Sequence, residues 1–377
     1  MPLGAFLSGG VDSSAVVAAM ARAYGKDPVS TTTIGFSDKR YDEVEYARLV
    51  ASRYRTDHKE FVVSPDAMEI IEDLIWHFDE PFADSSAIPT YYVSKLTRKR
   101  VTVALSGDGG DEVFAGYIRR YHGIKVEEEV RRRLPNLIRQ GVITPISRVY
   151  PKWDFLPRPL RLKNFLTGIS QSFERAYFRT MSFYFTPEMK RRFYRKGFSR
   201  ALADFDAFEV LGQHFKKVRT QDPVTKAQYV DIMTYLPEDI LVKVDRMSMA
   251  NSLEVRAPIL DHKVIELAAT LPSKLKLSGN ESKYIFKKMN EHALPREILY
   301  RNKQGFCIPL APWLKNELRD LLCDTLFSPN SEISNYLDMT RVEALWKRHT
   351  RGIEDCSAPL WNMMMFELWA RRFLRSS

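Results

Sequence analysis

Seven residues, Ser8-Gly9-Gly10-Val11-Asp12-Ser13-Ser14, combine side chains that bind a phosphorylated ligand with one that repels it. Glycines let the backbone come close to a ligand, the three serines supply hydroxyls, and a helix opening at this loop offers free N–H groups to an anion. Asp12 does not suit an anion by itself. A carboxylate beside phosphate is accounted for by a magnesium ion, Mg2+, which takes both kinds of oxygen together. The loop therefore has the make-up of a site for a nucleotide with its metal. A second segment, Ser106-Gly107-Asp108-Gly109-Gly110-Asp111-Glu112, follows another apolar run with the same Leu-Ser-Gly ending. Its three carboxylates crowd one turn and repel, so they call for a cation or a raised pKa, as metal ligands and general bases do. Acids complementing the dipole of a helix that starts near Asp111 would give the same composition.

Two commoner nucleotide motifs fail. Gly4 to Gly9 has Walker A spacing, but Gly10 stands where the lysine is required. Gly107-Asp108-Gly109 begins like a dinucleotide fingerprint, but Glu112 stands at the third glycine. Without a Walker lysine, positive charge must come from elsewhere in the chain. Lys283, opening Lys283-Tyr284-Ile285-Phe286-Lys287-Lys288, and Lys303, in the glycine-containing loop from Arg301 to Pro309, are the candidates, although each is by composition an ordinary surface residue. Between the motifs lies a mixed-charge helix from Leu236 to Arg246, followed by Met247 to Asp261. The pairs Asp245-Arg246 and Glu254-Arg256 read there as ordinary salt bridges, and Met247 and Met249 as core.

The elements that must hold these loops are legible from periodicity. Strands are expected at 3–7, 31–36, 58–63 and 101–105, with helices at 11–24, 42–54, 65–77 and 86–98 and Gly25 as a left-handed cap. Such alternation predicts an α/β fold, a parallel twisted sheet with helices on both faces. Ligands bind beyond the carboxyl ends of parallel strands, so the two Leu-Ser-Gly endings predict one site assembled from both. From about residue 111 the strand pattern disappears, and apolar residues recur at helical spacing between prolines. The expected organisation is a core over 1–120 and a mainly helical part over 121–377 that completes the site.

Composition narrows the function classes. The chain has 377 residues, of which 45% are hydrophobic, enough for a large core. No apolar run reaches the roughly 20 residues that span a bilayer and no leader opens the chain, so a cytoplasmic protein without a membrane partner is expected. Cys307, Cys323 and Cys356 make neither a disulfide framework nor a metal pair. The net charge of +10 collects in Arg131-Arg132-Arg133 and Lys190 to Arg200, both read as solvated helix faces. An RNA-binding or tRNA-modifying protein remains the alternative of another class, disfavoured because no RNP, KH or zinc pattern accompanies the charge. Met-Pro followed at once by a central-looking strand suggests a chain cut from a longer one.

Four segments taken together resemble the synthetase domain of the glutamine-dependent asparagine synthetase family. They are the Ser8–Ser14 loop, the Ser106–Glu112 loop, Asp245-Arg246-Met247-Ser248-Met249-Ala250 with Leu253 to Asp261, and Lys303-Gln304-Gly305-Phe306-Cys307-Ile308-Pro309, in family order. The resemblance implies an adenine nucleotide α-hydrolase-like fold and a two-step reaction. A carboxylate, aspartate in the type case, attacks the α-phosphate of ATP to give an acyl-adenylate and pyrophosphate, and ammonia then displaces AMP to leave an amide. By the same resemblance Leu7 and Ile34 line the nucleotide, Ser106 and Gly107 touch it, and Ser8, Gly9, Gly10, Asp12, Ser13 and Ser14 hold pyrophosphate. Asp12 and Asp111 are the implied magnesium ligands, Lys303 the group at the α-phosphate and Lys283 a pyrophosphate ligand. Asp108 matches the family's acidic catalytic position, usually Glu, and Asp239 or Asp245 is its acidic partner. The shorter acid leaves the acceptor open between aspartate and another carboxylate, such as a sugar acid of surface-polysaccharide synthesis. Family members usually carry an N-terminal glutaminase domain with a cysteine nucleophile; position 2 here is Pro, so ammonia is expected from a glutaminase domain or partner outside this chain. The sequence leaves oligomeric state open, a homodimer included.

Overall fold

The computed structural model describes residues 2–36, 43–63, 67–150, 157, 161–182, 184–203, 205–301, 305 and 308–374. The amino-terminal part alternates as its periodicity requires: β1 (Leu3–Phe6), α1 (Val11–Tyr24), β2 (Ser30–Phe36), α2 (Val44–Tyr54), β3 (Asp57–Val63), α3 (Ala67–Phe78), α4 (Ala87–Arg98) and β4 (Val103–Leu105). Gly25 ends α1 with φ 69° as expected, but its ψ of −103° lies outside the left-handed helical region. All ladders of the main sheet are parallel, in the order β3-β2-β1-β4-β5. The first two motif-bearing strands, β1 and β4, are therefore neighbours at the centre, and their carboxyl ends open side by side.

The fifth strand, β5 (Glu254–Arg256), was not expected. It pairs with β4 through Val103↔Glu254 and Leu105↔Arg256 and lies inside the stretch read as helical. Three residues on a sheet edge carry no periodic apolar signal, because only one neighbour and one face are covered. Its i, i+2 alternation does place Glu254 and Arg256 on one face, where they form the expected ion pair at 2.7 Å. Asp245-Arg246 is not such a pair: Arg246 instead reaches Asp79 at 3.2 Å. Met247 is fully buried as expected, but Met249 is exposed.

Both sheet faces are completed by the later, helical part. On one face Val16, Val17 and Met20 of α1 pack with Phe286, Leu294 and Ile298. On the other Ile70, Ile71 and Leu74 of α3 share a core with Trp361, Met364 and Met365 of the helix Ser357–Phe373. A third core, with Tyr121, Tyr177, Val224 and Val230, belongs to the helical part alone. Its helix Pro223–Met233 starts where the sequence dictates: Asp222 accepts from the Thr225 N–H at 2.7 Å and proline fills the first turn.

One basic run is not a solvated face throughout. Arg131, at the end of the helix that spans Ile118–Arg133, is buried and donates to the carbonyls of Gln171 and Gly168, both at 2.9 Å, and to Glu128. Beside it burial pushes Glu127 up to about 7, against the charges of Arg131 and Arg179. A carboxyl raised on folding holds its proton longer in the native than in the unfolded chain, so it costs stability as pH rises from about 4.5 to 7. Glu127→Gln is expected to match the parent near pH 4 and to exceed it by about 2–3 kcal/mol at pH 8. Urea midpoints of both proteins across that range would show it; a constant difference would not fit.

Candidate functional site

Beyond the carboxyl ends of β1, β2 and β4 lies one cavity of about 650 Å3. Its floor is the Ser8–Ser14 loop, which folds on itself: the Ser8 and Ser13 hydroxyls meet at 3.1 Å, the Gly10 N–H donates to Ser8 Oγ, and Ser13 Oγ donates to the Gly10 carbonyl, each at 3.3 Å. The first turn of α1 thus starts at the cavity with its N–H groups toward it, the arrangement that accepts an anion. Gly9, with φ 69°, faces away; a Cβ there would stand 2.5 Å from Tyr46 Cβ and 2.6 Å from the Ala47 nitrogen, so it admits α2 and not a ligand. Ser14 is likewise buried behind the loop.

The second loop meets the first at close quarters. A Cβ on Gly107 would lie 2.6 Å from the Ser13 nitrogen, so glycine is what lets the two strand ends share one space. Gly107→Ala is expected to cost about 1–3 kcal/mol by forcing them apart, whereas Gly141→Ala, with open space around the Cβ, should be neutral or slightly stabilising. Equal denaturation midpoints for the two variants would contradict this reading.

Contact between the loops brings Asp12 and Asp111 together around one cation. The Lys283 ammonium pairs with Asp12 and, at 2.8 Å, with Asp111. Lys283 is buried, not a surface residue. Burial works against its charge, but the two carboxylates more than offset that and keep it protonated. Its backbone is left-handed, with φ 53°, at the end of a two-stranded hairpin, Leu277–Ser278 with Glu281–Ser282, that delivers it to the first turn of the helix Tyr284–Asn290. Among the described residues no group of three or more His, Cys, Asp or Glu converges. The pair Asp12 and Asp111 supplies two oxygen ligands only.

The remaining expected residues separate cleanly. Leu7, Ile34, Ser106, Asp108 and Asp239 line the cavity. Asp245 does not: it is exposed. Helical geometry is the reason, since Asp239, Ile240, Lys243 and Val244 recur on one face and Asp245 falls off it. Lys303 lies outside the described residues. Burial pushes the Asp108 carboxyl up from its ordinary value, against the nearby Ser106 hydroxyl and the charge of Lys243. Burial also raises Glu112 to about 7, with Asp111 adding and a hydrogen bond from Tyr117 opposing.

Several lining residues were not expected. Lys243, buried, donates to Asp84 at 2.6 Å, and Ser86 holds the same carboxylate through its N–H and hydroxyl, both at 2.9 Å. Burial pushes Asp84 up, but these partners bring it below the usual carboxylate range; Asp239 is raised by burial and by Asp84. Lys287 pairs with Glu281, and Arg301 with Glu43, elsewhere on the lining. The one signal available for Lys243 was its i, i+4 relation to Asp239. Behind this wall Asp231 accepts from Tyr121 at 2.7 Å, from Arg120 at 3.0 Å and from Tyr177. Arg120 in turn lies between the rings of Tyr117 and Tyr235, at 4.3 and 4.6 Å, and both rings line the cavity.

Charge on the described lining is uneven. Eight acidic side chains (Asp12, Glu43, Asp84, Asp108, Asp111, Glu112, Asp239 and Glu281), of which burial raises Asp108, Glu112 and Asp239, face four basic ones (Lys243, Lys283, Lys287 and Arg301). Helix N–H groups invite an anion, and the carboxylates would repel it unless a cation came too.

A family model described as asparagine synthase matches residues 1–371. The Bacillus subtilis (strain 168) protein named asparagine synthetase [glutamine-hydrolyzing] 1 is 32% identical, over 98% of this chain and 56% of that relative. A Mycobacterium tuberculosis (strain ATCC 25618 / H37Rv) protein named putative asparagine synthetase [glutamine-hydrolyzing] is also 32% identical, over 100% of this chain and 55% of its own length. Amidase chyE of Penicillium rubens is 22% identical over 93% of this chain and 56% of its own. The chain spans about half the length of the curated relatives it matches.

Proposed function

Because the chain belongs to the asparagine synthase family, we propose that it is an ATP-dependent amide synthetase that adenylates aspartate, releases pyrophosphate, and aminates the adenylate with ammonia to give asparagine and AMP. The observation that carries this reading is the convergence of Asp12 and Asp111, from two different strand ends, on a single cation beside the α1 N-terminus. Two carboxylates next to an anion site fit magnesium, which is bound by one or two carboxylates together with the phosphates of its nucleotide. Magnesium held by Asp12 and Asp111 would offset phosphate charge in a cavity where acids outnumber bases. The α1 N–H groups and the Ser8 and Ser13 hydroxyls bind pyrophosphate oxygens, with Lys283 and Lys303 adding positive charge. Leu7 and Ile34 give the nucleoside an apolar wall, beside Ser106 and Gly107. Asp108, at the same opening, takes the proton that ammonia loses as the carbon–nitrogen bond forms, and Asp239 is its acidic partner on the far wall.

The test is pyrophosphate release by the 377-residue chain with ATP, magnesium and a panel of acceptors, with ammonium added for turnover. Release with aspartate, accompanied by AMP and asparagine, is the expected result. Release with uronic acids but not aspartate would favour an amidotransferase acting on sugar acids, the reading consistent with Asp108 in place of the longer acid. Absence of release from folded protein across the panel would refute adenylation.

A further inference from the structure

Outside the cavity lining, the chain turns an amphipathic helix inside out. Asn136–Ile138, Arg139–Ile143 and Thr144–Val149 follow one another without a break as a single helical run. Its packed side is small and polar: Ser147 is buried, and Lys163 of the adjoining helix Lys163–Ser170 donates to the carbonyls of Ser147 and Arg148. Its apolar side faces solvent. Ile138, Val142, Ile146 and Val149, at i, i+4, i+8 and i+11, are 43%, 51%, 44% and 82% exposed, and Leu137 is 85% exposed. That spacing makes one stripe on a helix, which a folded protein ordinarily turns inward.

Charge says what would cover it. From Glu127 to Glu174 the sequence carries nine Lys and Arg against five acids, a net positive stretch. Arg139 and Arg148 adjoin the stripe at its two ends. Aliphatic side chains bordered by arginines, in a stretch of net positive charge, are the composition of a helix that lies in the plane of an anionic bilayer surface. A second copy of the face would bring like charges together, and nucleic acid would leave the aliphatic stripe without an apolar partner.

We propose that the helical run 136–149 docks this protein on a membrane surface containing anionic lipid. Ile138, Val142, Ile146 and Val149 enter the headgroup boundary, and Arg139 and Arg148 meet lipid phosphates. This is a lying contact and not a span: among the described residues no helix is long and apolar enough to cross a membrane. None of these side chains lines the cavity, so docking leaves its mouth available.

Co-sedimentation of the 377-residue chain with phosphatidylcholine vesicles, with and without phosphatidylglycerol, tests the proposal. Partition should require phosphatidylglycerol and weaken in high salt. Val142→Asp with Ile146→Asp should weaken it at least ~10-fold by charging the apolar stripe. Arg139→Gln with Arg148→Gln should weaken it roughly 25-fold, about 5-fold for each charge. Two pairs of variants guard against misfolding of either, and an unchanged urea midpoint confirms the fold of each. No partition into anionic vesicles, or partition that survives both pairs in folded protein, would overturn the proposal. So would concentration-dependent self-association, or RNA binding, that the aspartate pair abolishes while vesicle partition stays unchanged.

Discussion

Asp12→Asn is expected to lower pyrophosphate release at least ~100-fold while the protein stays folded, since a metal that neutralises transferring phosphate contributes several kcal/mol to the transition state. The substitution keeps the side-chain shape and removes one negative charge. Lys283 retains Asp111 at 2.8 Å, so no buried ammonium is stranded. The loop around it is held by hydrogen bonds among Ser8, Ser13 and Gly10. The complementary variant, Lys283→Met, isolates the cation's part. It removes the ammonium between Asp12 and Asp111 and should cost about 3 kcal/mol without metal, because their charge loses its buried counterpart. Millimolar magnesium should then raise the denaturation midpoint of Lys283→Met more than that of the parent, since binding to the native state alone stabilises it. Equal responses to magnesium would sink the idea that the metal and Lys283 serve the same two carboxylates.

Asp231→Asn should destabilise the protein by about 3 kcal/mol or more. This carboxylate is completely buried, and its partners are the Tyr121 and Tyr177 hydroxyls and the Arg120 guanidinium. Neutralising it leaves Arg120 charged and nearly enclosed, with ring faces and a neutral amide in place of a carboxylate. A cation over an aromatic ring is worth ~0.5–2 kcal/mol, less than the lost pair. Since the Tyr117 and Tyr235 rings also line the cavity, the same change should raise KM for the acceptor. Arg120→Met in the Asp231→Asn background should recover part of the stability, as removing both charges avoids the stranded one. A double variant no more stable than Asp231→Asn would argue against the charge pair as the origin of the effect.

Much of this was legible because it depends on near neighbours in sequence. The Ser8–Ser14 composition implies an anion-accepting turn at a helix start, and α1 begins there. Regular alternation through Leu105 implies parallel strands, and the sheet has them. The crowding of Asp111 with Asp108 and Glu112 implies a cation or a raised pKa there, and Lys283 meets Asp111 while Glu112 is raised. Where the reading failed, the missing quantity was long-range. β5 is three residues long and exists only because β4 offers an edge. Arg131 sits in a run that looks solvated, but the carbonyls of Gly168 and Gln171 draw it inside. Asp239 and Asp245 could not be told apart by composition, and the helix settles which of them faces the cavity by turning one inward.

The sequence by itself determined that two glycine-bracketed acidic loops end parallel strands, because strand periodicity and loop chemistry are encoded locally in residue type. Only the tertiary structure decided that Lys283, some 270 residues from Asp12 along the chain, would close the space between Asp12 and Asp111, and that Asp84 and Lys243 would form the opposite wall. Those contacts depend on which hairpin and which helix face pack over the strand ends, and no local pattern carries that information. The outward stripe at Ile138–Val149 makes the same point in reverse: periodicity marks an apolar face, and the fold alone shows it turned to solvent.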